Sequence, residues 1–122
     1  MINAKGSLEI WGGIECTINR IGDRYADQVE RAGHYRRSSD LDRIAALGVK
    51  TVRYPALWEQ IMPDGPRSAR WGRTDDAFAR IRDLGMTPIV GLLHHGSGPF
   101  STNLLDPRFA QAFSDYAAAF AA

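Results

Sequence analysis

Only one cysteine, Cys16, occurs in these 122 residues, so no disulfide can close within the chain. A small secreted fold stapled by disulfides gains no support from that. No apolar run approaches membrane-spanning length, and no membrane partner is expected. Residues 1–9 carry Lys5 with no apolar stretch behind it, so no secretory signal is read there. An excess of either charge is also missing: 15 Lys and Arg face 14 Asp and Glu, a net charge of +1. Arg36-Arg37 is too short to form a basic patch, and a nucleic-acid partner is not implied. The expected setting is soluble and cytoplasmic. Low-complexity segments and linkers are lacking as well. The length admits one domain, residues 1–122, with one modest core.

What is present is a repeated α/β pattern. Residues 8–14 read as a buried strand, with Gly12-Gly13 marking a bend or close backbone approach. Residues 17–37 are polar and read as a long loop that orders around a ligand. Ser38-Ser39-Asp40 offers capping chemistry for a helix with Leu41, Ile44, Ala45 and Leu47 on one face, ending at Gly48. Residues 49–54 form the second strand, and Met62 to Pro66 is turn material. Thr74-Asp75-Asp76 caps a second helix with Phe78, Ile81 and Leu84 inward and Gly85 as its stop. Residues 87–94 form the third strand. Asp106-Pro107 opens a third helix with Phe109, Ala112, Phe113, Tyr116 and Phe120 on its apolar side. The order β-α-β-α-β-α, with strands roughly 40 residues apart, predicts parallel strands joined by crossovers. The predicted fold class is α/β, the first three units of a (β/α)8 TIM barrel.

Arg53 carries the most information. A charge inside a short apolar strand is costly unless it meets a partner or a ligand. It reads either as one half of a structural ion pair or as a site group. If Arg53 faces the barrel interior, Val52 and Tyr54 face the helices. On the third strand Gly91, Leu93 and His95 would share one face and His94 the other. Arg53 and His95 would then stand at the C-terminal mouth, where barrel enzymes keep their sites. Glu15 and Asn19 follow the first strand and could reach the same place. These donors and acceptors suit a polyhydroxylated ligand. His94 reads as a hydrogen-bonded residue packed between strand and helix, and a metal shared by His94 and His95 is not expected because adjacent strand residues diverge. Cys16 reads as an inert small side chain, and Trp58 and Trp71 as packing residues. Gly96-Ser97-Gly98 is a turn, since Pro99 follows and no lysine does. No cofactor motif is read. A flavodoxin-like domain is disfavoured because Gly12-Gly13 lacks the phosphate-binding spacing.

Trp11-Gly12-Gly13, residues 48–53, Trp58, Ile61 and Pro63-Asp64-Gly65 together resemble the N-terminal part of glycoside hydrolase family 1, the β-glucosidase-like barrels. Leu93-His94-His95 with Pro99 resembles that family's third-strand histidine motif, and Ala112 to Ala117 its third helix. Trp11 to Arg20 and His94 to Pro99 look like a branch whose barrel is fused to a dTDP-4-dehydrorhamnose reductase-like domain. The resemblance implies that His95 binds sugar, that Arg53 supports the nucleophile, and that Asn19 stands for a sugar-binding glutamine. Glu15 falls where the common pattern has no acid. Gly96 replaces an aromatic residue that normally follows the histidine, which argues against ordinary glucoside specificity.

Retaining glycosidases need two carboxylates about 5–5.5 Å apart. The resemblance puts them on the fourth and seventh strands, in Asn-Glu-Pro-like and Glu-Asn-Gly-like motifs, and this chain has neither. The expectation is a glycosidase barrel portion for O-glycosidic bonds, in carbohydrate metabolism, truncated after the third unit and without hydrolytic competence alone. The substrate-binding residues would be Glu15, Asn19, Arg53 and His95, with no catalytic residue and no metal. The alternative is a non-catalytic half-barrel that binds sugar or another chain. Open edges predict self-association or a missing C-terminal half of the barrel.

Overall fold

The computed structural model describes residues 6 and 8–122. Most of the N-terminal stretch read above for a signal (residues 1–5 and 7) lies outside the described residues. A three-stranded parallel sheet organises the chain in the order β1-β4-β5: β1 is Trp11–Gly13, β4 Thr51–Pro55 and β5 Thr87–Gly91. Trp11 pairs with Thr51 and Gly13 with Arg53; Arg53 in turn pairs with Ile89 and Tyr54 with Val90. Parallel strands need crossovers, and helices supply them. Helix α2 (Asp40–Ala46) leads into β4, and α4 (Gly72–Asp83) leads into β5. Helix α5 (Phe109–Ala121) follows. The mixed α/β class and the parallel sheet are as expected.

Each Leu-Gly pair ends a helix by the same device. Gly48 takes a φ of 83° and donates its N–H to Ala45; Gly85 takes 68° and donates to Arg82. Residues with side chains rarely adopt that left-handed conformation, so the helix stops and the next strand begins.

The segment 17–37 is ordered within the chain, contrary to the expected ligand-ordered loop. It forms an antiparallel hairpin of β2 (Ile18–Ile21) and β3 (Arg24–Asp27), then the short helix α1 (Gln28–Arg31). Gly22-Asp23 is the two-residue turn, with Gly22 at a φ of 58°. That dipeptide is a hairpin signal, masked here by the charges around it. The hairpin has its own small core: Cys16, Ile18 and Val29 are buried against Leu57. Asp27 caps α1 by accepting from the amides of Val29 at 2.8 Å and Glu30 at 3.1 Å. Its other oxygen takes the Gln60 amide, which ties the hairpin to the short helix α3 (Trp58–Ile61).

One expected helix start holds its place without its cap bond, and two shift. Ser39 sits at the N-cap of α2 with no side-chain cap bond. Asp40 turns instead to His34, at 3.0 Å, and to Arg37. Helix α4 begins at Gly72, so Thr74 to Asp76 lie inside the helix and not at its cap. Helix α5 begins at Phe109, after Asp106 has accepted the Arg108 amide at 2.9 Å.

The helices cover one face of the sheet. Val52 and Tyr54 pack with Leu41, Ile81 and Met86. A second cluster joins Trp58, Ile61, Met62 and Tyr116 to the aromatic side of α5. Trp58 and Trp71 both stack on Tyr116, at 6.0 and 6.2 Å between ring centroids, as the packing reading expects. The opposite face of the sheet is largely uncovered, with Trp11 47% exposed and Ile89 42%, although Thr51 on it is buried and bonded to Glu9. Among the described residues no helix is long and apolar enough to cross a membrane.

Two truncations separate the faces. Ile81→Ala empties a fully buried position and should cost about 2–5 kcal/mol. Ile89→Ala on the bare face should cost under about 1 kcal/mol. Urea unfolding measures both, and equal losses would mean that the bare face is covered in solution.

Candidate functional site

Alternation along β4 decides where Arg53 points. Val52 and Tyr54 are buried under the helices, and Arg53 between them is exposed on the bare face. The inward-outward pattern expected of this strand therefore holds. Gly13, opposite Arg53 in the register, leaves the room: a Cβ there would lie 3.5 Å from the guanidinium Nε. Arg53 enters no ion pair among the described residues, so the structural-pair reading finds no partner there.

Beyond the C-terminal end of β1 stands Glu15. Its carboxylate accepts the Thr17 hydroxyl at 2.6 Å and the Thr17 amide at 3.1 Å. The hydroxyl bond above all holds the carboxyl below the ordinary glutamate range. Beyond the end of β5, His94 Nε2 comes within 3.6 Å of the same carboxylate. Glu15 and His94 are thus brought together by two strands that are not neighbours in the sheet. Cys16 is fully buried beside this group, and burial pushes its thiol up, as an inert cysteine requires.

The expected divergence of His94 and His95 does not occur. Strand β5 ends at Gly91, so alternation has stopped before either histidine. The two rings lie 4.3 Å apart, edge to face. His94 faces Glu15 rather than a space between strand and helix. His95 has a φ of 53° and is the one non-glycine described residue with a left-handed backbone. Such conformations are held by their surroundings and gather at binding sites. Among the described residues no three His, Cys, Asp or Glu side chains form a metal-binding group.

Asn19 lies apart. It is exposed on β2, paired with Ala26, and no side-chain hydrogen bond joins it to Glu15, Arg53 or His95. Glu15, His94 and His95 thus meet beyond the strand ends, Arg53 stands mid-strand on β4, and Asn19 remains on the hairpin.

Two groups carry no legible sequence signal. Glu59, in α3, is only 8% exposed, and burial pushes its carboxyl above the ordinary range. Its oxygen accepts the Gly98 amide at 3.0 Å. His34 is buried between the Asp40 carboxylate and the Tyr54 hydroxyl, at 3.0 and 2.9 Å. Burial pushes the Tyr54 phenol up to about 12, so it stays a neutral donor. This chain braces α2 against β4 from the helix side and does not reach the mouth. Partners that lie 39 and 20 residues apart cannot be read from local spacing.

The arrangement provides a guanidinium, a carboxylate held ionised, and two imidazoles. That set can hold several hydroxyls or an oxyanion, but it lacks a second exposed carboxylate for acid-base hydrolysis. His95→Gly should raise stability by about 1 kcal/mol, because glycine adopts a positive φ freely. Chemical denaturation checks this, and a loss would mean that the imidazole supports the fold. Thr17→Val should bring the Glu15 pKa back up toward the ordinary range, as followed by carbon-13 NMR titration of the carboxyl. In comparisons with known proteins, no family model, no curated protein and no solved structure matches this chain.

Proposed function

We propose that this chain is the N-terminal portion of a glycosidase-type (β/α)8 barrel of the β-glucosidase-like family, and that it carries the sugar-binding half of the site. The observation that supports this most is the placement of Arg53. It leaves the central strand on the face turned away from the helices, which in a closed barrel is the interior. Glu15, His94 and His95 follow the strand ends on either side, where barrel enzymes gather ligand groups.

In this reading the ligand is a carbohydrate or glycoside. Arg53 and His95 donate to sugar hydroxyls, and the ionised Glu15 accepts from them. Chemistry on an O-glycosidic bond needs two carboxylates from further strands. Of the two carboxylates near the mouth here, Glu15 is exposed but Glu59 lies beneath the turn at 96–98. The chain by itself therefore binds without hydrolysing. A soluble cytoplasmic setting agrees with its one buried thiol.

A second reading is a non-catalytic interaction half-barrel. It is favoured by Trp11 and Ile89, two large apolar side chains exposed on the bare sheet face. Self-association through that face would cover them.

Titration with glucose, observed through the imidazole proton signals, tests the first reading. The His95 signals should move and the buried His34 signals should stay. The chain should release no phenol from an aryl glucoside. Unmoved His95 signals at saturating sugar would sink the half-site reading and leave the interaction half-barrel. Hydrolysis would sink the claim that catalysis needs further strands.

A further inference from the structure

Glu59 is a buried carboxylate that enters no ion pair among the described residues. An isolated buried charge is expensive, and most such groups are lost or matched. Glu59 bears electrostatically on the Tyr25 and Tyr116 phenols, which are neutral and offer no compensation. What the carboxylate does hold is a piece of backbone. Oε1 accepts the amide of Gly98 at 3.0 Å. It also occupies the space beside Gly96: a Cβ built there would collide with Oε1 and lie 3.0 Å from the carboxyl carbon. Gly98, with a φ of 80°, lies against the neighbouring Trp58, whose ring carbon would be 3.0 Å from a Cβ at that position.

The turn 96–98 is therefore wrapped around the first residues of α3, with the carboxylate under Gly96 and the indole under Gly98. His95 immediately precedes this turn and has the left-handed backbone described above. The absence of a side chain at position 96 has a local cause: the volume is taken by Glu59.

We propose that Glu59 is the positioning residue of the histidine turn. Its carboxylate fixes the Gly96–Gly98 backbone and so holds His95 in the left-handed conformation that places it at the mouth of the sheet. Glu59 touches no ligand in this role, and it acts through His95. The consequence for sugar binding rests on the half-site reading above. The positioning role stands on the backbone geometry alone.

The experiment uses the full chain labelled with nitrogen-15 and carbon-13. In the parent, the Gly98 amide proton should titrate together with the Glu59 carboxyl, with its midpoint above the ordinary glutamate range. In Glu59→Leu that amide signal should move to higher field, and the His95 Cα signal should shift with it. Glu59→Gln keeps an acceptor of the same shape and should retain both signals near the parent positions. A double-mutant cycle adds a measurement independent of ligand: Gly96→Ala should destabilise the parent strongly and the Glu59→Ala variant far less. Glucose binding should weaken about tenfold in Glu59→Leu and be largely kept in Glu59→Gln. If the Gly98 and His95 signals respond as described while glucose binds neither parent nor variant, the positioning role stands and the sugar reading falls. A Gly98 amide that ignores the Glu59 titration would overturn the proposal. So would equal penalties for Gly96→Ala in the two backgrounds. Should Glu59→Leu fail to fold, the parent titration and Glu59→Gln still decide the matter.

Discussion

Strand β4 lies between its two neighbours with one face under helices and the other bare, and the rest of the molecule follows from that asymmetry. Every second side chain on it, Val52 and Tyr54, enters a dry core closed by α2 and α4. The intervening Arg53 is thereby directed to the opposite face, where a charge is tolerated because solvent still reaches it. Strand pleat is strict, so neither set can move without the other. The core that stabilises the sheet and the guanidinium on its other face are products of the same periodicity.

The groups around the mouth are held more by hydrogen bonds than by packing. Thr17 ties Glu15, and the Gly98 amide ties Glu59. Environment separates the two carboxylates: hydrogen bonding to the ionised form favours charge on Glu15, and burial opposes it on Glu59. The exposed one is suited to meet a ligand, the buried one to hold backbone. Away from the mouth, the Asp40–His34–Tyr54 chain does structural work with the same chemistry. A carboxylate–imidazole pair thus occurs on both sides of the sheet, buried under the helices at His34 and more exposed at His94.

Much of the architecture was legible along the chain. The helical spacing of Phe78, Ile81 and Leu84 and the aromatic stripe from Phe109 to Phe120 correspond to observed buried faces. The Leu-Gly stops are where φ turns positive. The hairpin at residues 18–27 was hidden because its outward residues are charged and its inward ones few, although Gly22-Asp23 marked the turn. At α2 the expected capping bond is missing, and Asp40 bonds His34 and Arg37 instead. At the site, Arg53 was readable as a charge within an apolar strand and Glu15 from its place after the first strand. The alternation assumed for His94 and His95 ran past the end of β5.

The sequence by itself determined the mixed α/β class, the three parallel strands, and the alternation that sets Arg53 against Val52 and Tyr54. Each of these rests on periodicity or on a local turn preference, and both act over a few residues. Only the tertiary structure decided that His94 meets Glu15, that His95 bends into a left-handed turn, and that a buried Glu59 fills the space a side chain at position 96 would need. Those contacts join residues 37 to 79 positions apart. No local preference encodes them, because they come into being when separate strand ends are brought to one edge of the sheet.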